Sequence, residues 1–163
     1  MSYQSSTPFI NVEHEANCLT IEFNRPDALN ALRPEMLSEA ARLVEQAHSD
    51  ESVMVIVLRG AGRAFSAGVD LKVLQGIQPQ GGIIGNVFDE PAAQLAAAIR
   101  DTGVPVIARA VGACFTGALE VALHCDFIAR SPFPNRPPGG LTSPCSFHGP
   151  SGCGAVMTVA PLP

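Results

Sequence analysis

"GACFTGALEVALHCD", residues Gly112–Asp126, joins a turn of small residues to an apolar helical run. The turn follows VPVIARAVG (Val104–Gly112), whose branched apolar residues predict a strand covered on both faces. A buried strand, a glycine-containing turn and a helix in this order are the parts of a layered α/β unit. One carboxylate, Glu120, stands among the apolar helix residues, where an isolated ion is costly to bury.

The preceding sequence contains further elements of the same kind. Residues 8–24 alternate loosely and include CLTIEF (Cys18–Phe23), a pattern that predicts an opening hairpin or strand pair. The other predicted elements are an amphipathic helix over 34–48 opened by Pro34, a buried strand over 53–60, a short helix over 71–75 and a helix over 90–100 with Pro91 near its start. This order indicates right-handed crossover units in a stacked α/β fold.

The composition fits one globular domain, because 47% of the 163 residues are hydrophobic and only 15% are charged. A net charge of -5 without basic clusters argues against nucleic acid or an anionic membrane surface as a partner. No apolar run reaches the length of a membrane span, and the first residues lack the pattern of a signal peptide. The five cysteines and four histidines are scattered without ligand spacing, which predicts no metal site and a reducing, cytoplasmic location.

The composition changes after Arg130. Residues 131–163 hold eight prolines, five glycines and no acidic residue, which predicts irregular coil with at most a short terminal element. We therefore expect a core over residues 1–130 and a Pro/Gly-rich irregular tail over 131–163. An out-of-frame ending of the gene is an alternative explanation of this change, which sequencing of the coding DNA tests.

Two glycine-containing turns follow neighbouring predicted strands: AFSAGVDL (Ala64–Leu71) and CFTGALE (Cys114–Glu120). The carboxyl ends of parallel strands form the crevice in which α/β proteins bind ligands. Backbone N–H groups at the start of a helix have no intrahelical acceptor, and they attract anions. If one N–H from each turn pointed at the same atom, the pair would stabilise a developing enolate oxygen by about 3 to 4 kcal/mol per donor.

Two other motifs are incomplete. GAGRAF (Gly60–Phe65) imitates the dinucleotide-binding pattern, but Phe65 fills the third glycine position, where a helix must approach closely. AFSAG (Ala64–Gly68) imitates a nucleophile elbow, but Ala64 replaces its first glycine and no Asp and His follow in a suitable order. The sequence therefore disfavours a dinucleotide site and a serine nucleophile at Ser66.

Three separated segments resemble the enoyl-CoA hydratase/isomerase, or crotonase, family. They are LTIEFNRPDALNAL (Leu19–Leu32), GAGRAFSAGVDLKVL (Gly60–Leu74) and PVIARAVGACFTGALEVALHCDFIA (Pro105–Ala129), and the resemblance spans residues 8–130. It implies a crotonase-like spiral of stacked ββα units, incomplete here and followed by the irregular tail. It also implies acyl-CoA thioester chemistry through an enolate held by two backbone N–H groups, with coenzyme A as part of the substrate and no separate cofactor.

The resemblance assigns roles to individual residues. Ala67 and Gly117 match the two N–H donors, and Glu120 matches a catalytic carboxylate that follows the second donor. A carboxylate desolvated in such a cavity is suited to moving a proton on or off carbon. Without the resemblance, Glu120 is a solvent-facing helix residue and Asp70 only the N-cap of the helix over 71–75. The residues implied to contact the substrate are Ala67, Gly68, Val69, Asp70 and Gly117.

The sequence departs from the family pattern in two respects. Hydratases of the family use a second glutamate further along the chain, and the matching position falls in RPPGGLTSP (Arg136–Pro144), after the last acidic residue, Asp126. Hydration is therefore expected to be impaired. The half that completes the acyl pocket and builds the family's homotrimer or hexamer is missing, so apolar faces of the helices over 34–48 and 117–125 are expected to lack partners.

The leading interpretation is a family member that acts on an acyl-CoA thioester through an enolate, related to the hydration or isomerisation of enoyl-CoA in fatty-acid metabolism. A non-catalytic acyl-CoA-binding protein is one alternative, and an inactive, truncated fragment is another. Whether the chain is an enzyme stays open at the level of sequence.

Overall fold

The sheet and its helices follow the predicted order. The computed structural model describes residues 2–77, 85–130 and 155–158. Within these residues the strands are β1 (Ile10–Glu15), β2 (Cys18–Phe23), β3 (Val55–Gly60), β4 (Val106–Ala110), β5 (Phe127–Arg130) and β6 (Ala155–Thr158). The helices are α1 (Pro34–His48), α2 (Leu71–Ile77), α3 (Gly85–Asp101) and α4 (Gly117–His124).

The strands of the described residues form one sheet in the order in which they occur along the chain. β1 and β2 form the predicted antiparallel hairpin, the strands from β2 to β5 run parallel, and β6 pairs antiparallel with β5. Each parallel connection passes through at least one helix, as crossover units require. The predicted α/β class is confirmed.

α1 is amphipathic, and its apolar stripe is covered. Pro34 occupies the start of the helix, where its missing N–H leaves no hydrogen bond unmade. The helix packs mainly against α3 and also contacts β2. The members of the stripe are at most 3% exposed: Met36, Leu37, Ala40, Leu43, Val44 and Ala47. The expectation that this face lacks a partner is therefore wrong for α1, because α3 supplies one.

α4 behaves differently from α1. Ala118, Val121 and Ala122 are buried, whereas Leu119 is 45% exposed and Leu123 is 50% exposed. The two leucines lie four residues apart and so share one face of the helix. Within the part of the chain that the structure describes, the expectation of an unpartnered apolar face is confirmed for α4.

One helix boundary differs clearly from the prediction. α3 begins at Gly85 instead of residue 90, so Pro91 lies inside the helix and not near its start. Phe88 is only 8% exposed and lies two helical turns before the buried Leu95 on the same face. Burial of this aromatic ring offsets the hydrogen bond that Pro91 cannot donate.

Of the two short strands at the far edge of the sheet, β5 was not predicted, whereas β6 agrees with the short terminal element that the prediction for the tail allowed. β5 and β6 have four residues each, too few for a clear period of two. β6 lies within the predicted tail and pairs with β5. The rest of that tail, residues 131–154 and 159–163, lies outside the described residues.

A buried carboxylate ties α1 to the start of the chain. The side chain of Glu39 is 5% exposed and accepts hydrogen bonds from the Ser6 backbone N–H at 2.8 Å and the Ser6 hydroxyl at 2.6 Å. The Arg42 guanidinium donates to the same carboxylate at 2.8 and 3.0 Å. The hydrogen bonds from Arg42, and after them those from Ser6, lower the pKa of Glu39 from 4.5 to about 2.

Removing this charge should weaken the fold in a pH-dependent way. We expect Glu39→Gln to lower the free energy of unfolding by about 1 to 2 kcal/mol at pH 7. This is less than the pKa shift alone would give, because Arg42 is exposed and solvent screens its charge. Because the folded-state pKa is depressed, this contribution is complete above the unfolded value of 4.5 and is lost as the pH falls toward 2. Urea unfolding at pH 7 and pH 3 measures it.

A matched control lies on the same helix. Glu35 pairs with Arg33 at 2.9 Å, but its side chain is 42% exposed. We expect Glu35→Gln to change stability by less than about 0.5 kcal/mol at pH 7. An equal effect of the two substitutions would show that burial of Glu39 is not the cause.

Candidate active site

The two glycine-containing turns lie side by side at the carboxyl ends of β3 and β4. Ser66 and Cys114 form an isolated parallel bridge that continues the pairing of the two strands. The Ser66 N–H donates to the carbonyl oxygen of Ala113 at 3.0 Å, and the Phe115 N–H donates to that of Ser66 at 3.4 Å. These bonds fix the register of one turn against the other.

Gly68 is the point of closest approach between the turns. Its φ is 95°, and a Cβ atom there would overlap Thr116 Oγ1 and lie 2.8 Å from the Phe115 carbonyl oxygen. Thr116 has φ 46° and ψ -122°, a conformation that a β-branched residue rarely adopts. Strain of this kind persists only where the surroundings enforce it, and it is common at binding sites.

The two predicted N–H donors have different partners in the structure. Gly117 is the first residue of α4, and the hydrogen bonds found among the described residues include none from its N–H. A Cβ atom on Gly117 would meet Val69 Cγ2 at 3.1 Å, so glycine permits this close packing. The Ala67 N–H donates to the carbonyl oxygen of Leu29 at 2.9 Å. Among the described residues, the Gly117 N–H thus has no hydrogen-bond acceptor, whereas the Ala67 N–H already has one.

A cleft of about 610 Å³ lies where α3 faces α4. Its walls are mainly apolar, and four ionisable side chains also line it: Asp89 and Arg100 from α3, and Glu120 and His124 from α4. Of the residues implied to contact substrate, Val69 and Gly117 line the cleft. The apolar lining residues include Leu32, Leu37, Phe88, Ala92, Leu95, Ala96, Ile99 and Val121.

Glu120 lines this cleft but is exposed to solvent. It lies three residues after Gly117, a spacing that puts both residues on one side of the helix. The described residues provide no hydrogen bond or ion pair to its carboxylate. The expectation of a desolvated carboxylate is therefore wrong for this structure, because no described element covers the mouth of the cleft above Glu120.

Asp70 is not among the residues that line the cleft, and it is 8% exposed. Its carboxylate accepts a hydrogen bond from the Lys72 N–H at 3.0 Å, so the predicted N-cap of α2 is confirmed. It also pairs with the Arg25 guanidinium at 2.8 Å. Burial by itself raises the pKa of Asp70, but the hydrogen bonds from Arg25 and Lys72 hold it below its ordinary value. Contact between Asp70 and substrate stays a prediction.

Two residues near the cleft were not singled out from the sequence. Asn30 is fully buried, and its amide group joins the loop before α1 to the residues after β3. Its only sequence signal is its place in a turn-rich stretch. His124 lines the cleft four residues after Glu120, and this helical spacing was a usable signal.

The described residues give little support for a metal site, a cysteine nucleophile or a membrane span. Residues 2–77 and 85–130 contain no group of three His, Cys, Asp or Glu side chains placed to bind a metal ion. Burial raises the pKa of the Cys125 thiol to about 12, so this group stays protonated near neutral pH and is a poor nucleophile. No helix in this part of the chain is both long and apolar enough to cross a bilayer.

Solved structures share this arrangement of strands, turns and helices. A crystal structure of an enoyl-CoA hydratase/carnithine racemase from Magnetospirillum magneticum matches with a TM-score of 0.70 and 31% sequence identity, over 78% of this chain and 48% of that one. A structure of an enoyl-CoA hydratase subunit from Geobacillus kaustophilus matches with a TM-score of 0.67 and 35% identity, over 78% and 48% of the two chains. The fold is therefore the crotonase fold.

The family model described as enoyl-CoA hydratase/isomerase matches residues 13–133, and the chain belongs to that family. A relative from Arabidopsis thaliana, named probable enoyl-CoA hydratase 1, peroxisomal, is 32% identical over 132 residues, which are 80% of this chain and 48% of the relative. A relative from Rhizobium meliloti, named probable enoyl-CoA hydratase, is 34% identical over 131 residues, with the same two coverages. The chain spans about half the length of these curated relatives.

Proposed function

We propose that this chain binds an acyl-CoA thioester in the cleft between α3 and α4 and stabilises its enolate. The observation that carries the proposal is that the Gly117 backbone and the Glu120 side chain line the same cleft beside two interlocked turns. The two relatives are named probable enoyl-CoA hydratases, and these names support this substrate class. The apolar wall supplied by α3 suits an acyl chain.

The Gly117 N–H is the proposed first donor to the thioester oxygen. Enolate formation places negative charge on that oxygen, and an N–H donor at a helix start stabilises it by about 3 to 4 kcal/mol. Ala67 is the proposed second donor. In the structure its N–H donates to the Leu29 carbonyl oxygen. The thioester oxygen must therefore replace that carbonyl oxygen as the acceptor before Ala67 can act as the second donor.

Glu120 is the proposed base. In the isomerisation of a 3-enoyl-CoA, its carboxylate removes a proton from C2, and the electron pair moves to the thioester oxygen. The same carboxyl group then returns a proton to C4 as the double bond moves to C2–C3. One group is enough for this reaction, whereas water addition in the family uses two carboxylates, and the segment that matches the second one, Arg136–Pro144, contains none.

Replacing Glu120 tests this role. We expect Glu120→Gln to lower kcat for isomerisation of a 3-enoyl-CoA about 100-fold with little change in KM, because glutamine cannot accept the proton. The absorbance of the conjugated enoyl thioester follows the reaction. Asp89→Asn is the matched control, since Asp89 is a carboxylate that lines the same cleft from α3. An equal loss in both variants, or a wild-type rate no greater than in buffer, contradicts the proposal.

Binding without catalysis is the second candidate function. Engagement of the Ala67 N–H by Leu29 and the exposure of Glu120 favour it. Calorimetry with an unreactive acyl-CoA thioether separates the two candidates. Heat of binding together with no turnover supports a binder, whereas no heat at millimolar ligand argues against both. A cytoplasmic location remains a proposal.

A further inference from the structure

A second ionisable side chain of α4 faces the cleft. Gly117, Glu120, Val121 and His124 all line it, and their spacing of three and four residues makes one stripe along the helix. With a rise of about 1.5 Å per residue, the backbone positions of Glu120 and His124 lie about 6 Å apart along the helix axis. Both residues follow Gly117 along α4. A thioester held by the Gly117 N–H would therefore have both side chains on the side that faces the carboxyl end of the helix.

We propose that His124 is a second acid–base residue of this cleft and donates a proton to carbon. The inference rests on the proposed function, because it needs an acyl-CoA in the cleft. It supplies the proton donor that water addition requires and that the matching segment Arg136–Pro144 does not provide. Histidine is suited to this task, since its charge changes between about pH 5 and pH 8.

The proposed reaction balances with water as the second reactant. Water oxygen forms a bond to C3 of a 2-enoyl-CoA while Glu120 takes a proton from the water. The electron pair of the double bond moves through C2 to the thioester oxygen near the Gly117 N–H. The enolate then collapses, and C2 takes a proton from the His124 imidazolium. Glu120 ends protonated and His124 neutral, and both exchange protons with solvent because both are exposed.

Charged side chains from both helices line the cleft with His124. Glu120 on its own helix and Asp89 on α3 are anionic and line the cleft with it. Arg100 on α3 is a cation that also lines the cleft, but its side chain is 70% exposed and pairs with Asp101 at 3.2 Å. Asp126 follows α4, but its carboxylate accepts the Val106 N–H at 2.8 Å and so is held at the start of β4. No hydrogen bond from the described residues holds the His124 ring.

The test compares His124→Gln with wild type in the hydration of crotonyl-CoA from pH 5.5 to pH 9. We expect kcat to fall at least about tenfold while KM changes less than about twofold. The wild-type rate should decline on the alkaline side, and this decline should be absent in the variant. Imidazole added to His124→Ala should restore part of the rate. His14→Gln, which lies outside the cleft, should leave the rate and its pH dependence unchanged.

Each outcome decides between the two proposals. If Glu120→Gln lacks activity and His124→Gln keeps both the wild-type rate and its alkaline decline, the role of His124 is overturned and the proposed function stands. If His124→Gln loses activity but keeps the alkaline decline, and imidazole does not rescue His124→Ala, the residue acts only structurally and the inference is overturned. If wild type neither binds acyl-CoA nor turns it over, both proposals fall together.

Discussion

Gly112→Ala is expected to lower the free energy of unfolding by about 3 to 5 kcal/mol. Gly112 has φ 62°, a conformation that costs an L-residue about 1 to 2 kcal/mol. A Cβ atom there would also overlap the carbonyl oxygen of Arg63 and lie 3.5 Å from the Cα atom of Ala64. Because these are backbone atoms, the overlap is relieved only by moving the chain between β3 and the first turn.

Two other glycines separate the causes of this loss. Gly103 has φ 67°, but a Cβ atom there would meet nothing within 4 Å, so Gly103→Ala measures the conformational cost alone. Gly76 lies in α2 without a positive φ and also has open space, so its replacement by alanine should be neutral or stabilising. Urea unfolding compares the three variants. If Gly112→Ala lowered the free energy of unfolding no more than Gly103→Ala, close packing at Gly112 would not be a cause of the loss.

The same substitution should disturb the cleft. The Phe65 N–H donates to the carbonyl oxygen of Val111 at 2.7 Å, directly beside Gly112. This bond aligns the first turn with the end of β4, and the alignment continues to the bridge between Ser66 and Cys114. A shift here would misalign the two turns, so binding of an acyl-CoA thioether should weaken even where the variant remains folded.

Periodic elements were the most predictable part of the fold. The bounds of α1 agree with the prediction because Pro34 marks its start and its apolar stripe has a clear helical spacing. β3 and β4 were recognised from continuous apolar runs, although both are shorter than predicted. The start of α3 was missed because Pro91 was taken to lie near its first turn, whereas burial of Phe88 extends the helix beyond it.

The site shows where sequence reasoning stops. Local spacing along α4 was enough to place Glu120 on the same side as Gly117. It gave no information about what covers that side, which depends on contacts distant in sequence. The bond between the Ala67 N–H and the Leu29 carbonyl is of this distant kind, as is the pairing of Glu39 with Ser6.

Asn30 is the clearest example of a residue whose role only the three-dimensional structure shows. Its φ is 55°, a conformation that asparagine tolerates better than most residues. The side-chain nitrogen donates to the carbonyl oxygens of Ala61 and Ala64, both at 2.8 Å, and the side-chain oxygen accepts the Arg25 N–H at 2.9 Å. The amide therefore connects the loop before α1 with the segment that leads into the first turn.

Asn30→Asp should therefore cost about 3 to 5 kcal/mol at pH 7, because it places a buried negative charge, with no hydrogen to donate, against the carbonyl oxygens of Ala61 and Ala64. Burial and these oxygens raise the pKa of the introduced carboxyl in the folded state. The deficit in unfolding free energy relative to wild type is thus complete at neutral pH. It shrinks as the pH falls toward about 4, the pKa of aspartate in the unfolded chain. Asn30→Ala loses the two donated hydrogen bonds and also the one accepted from the Arg25 N–H, but it introduces no charge, so its deficit should stay constant between pH 7 and pH 4. Denaturant unfolding at both pH values measures the difference. Equal deficits for the two variants at both pH values would show that a negative charge at residue 30 adds no cost, which would contradict the argument from its burial against Ala61 and Ala64.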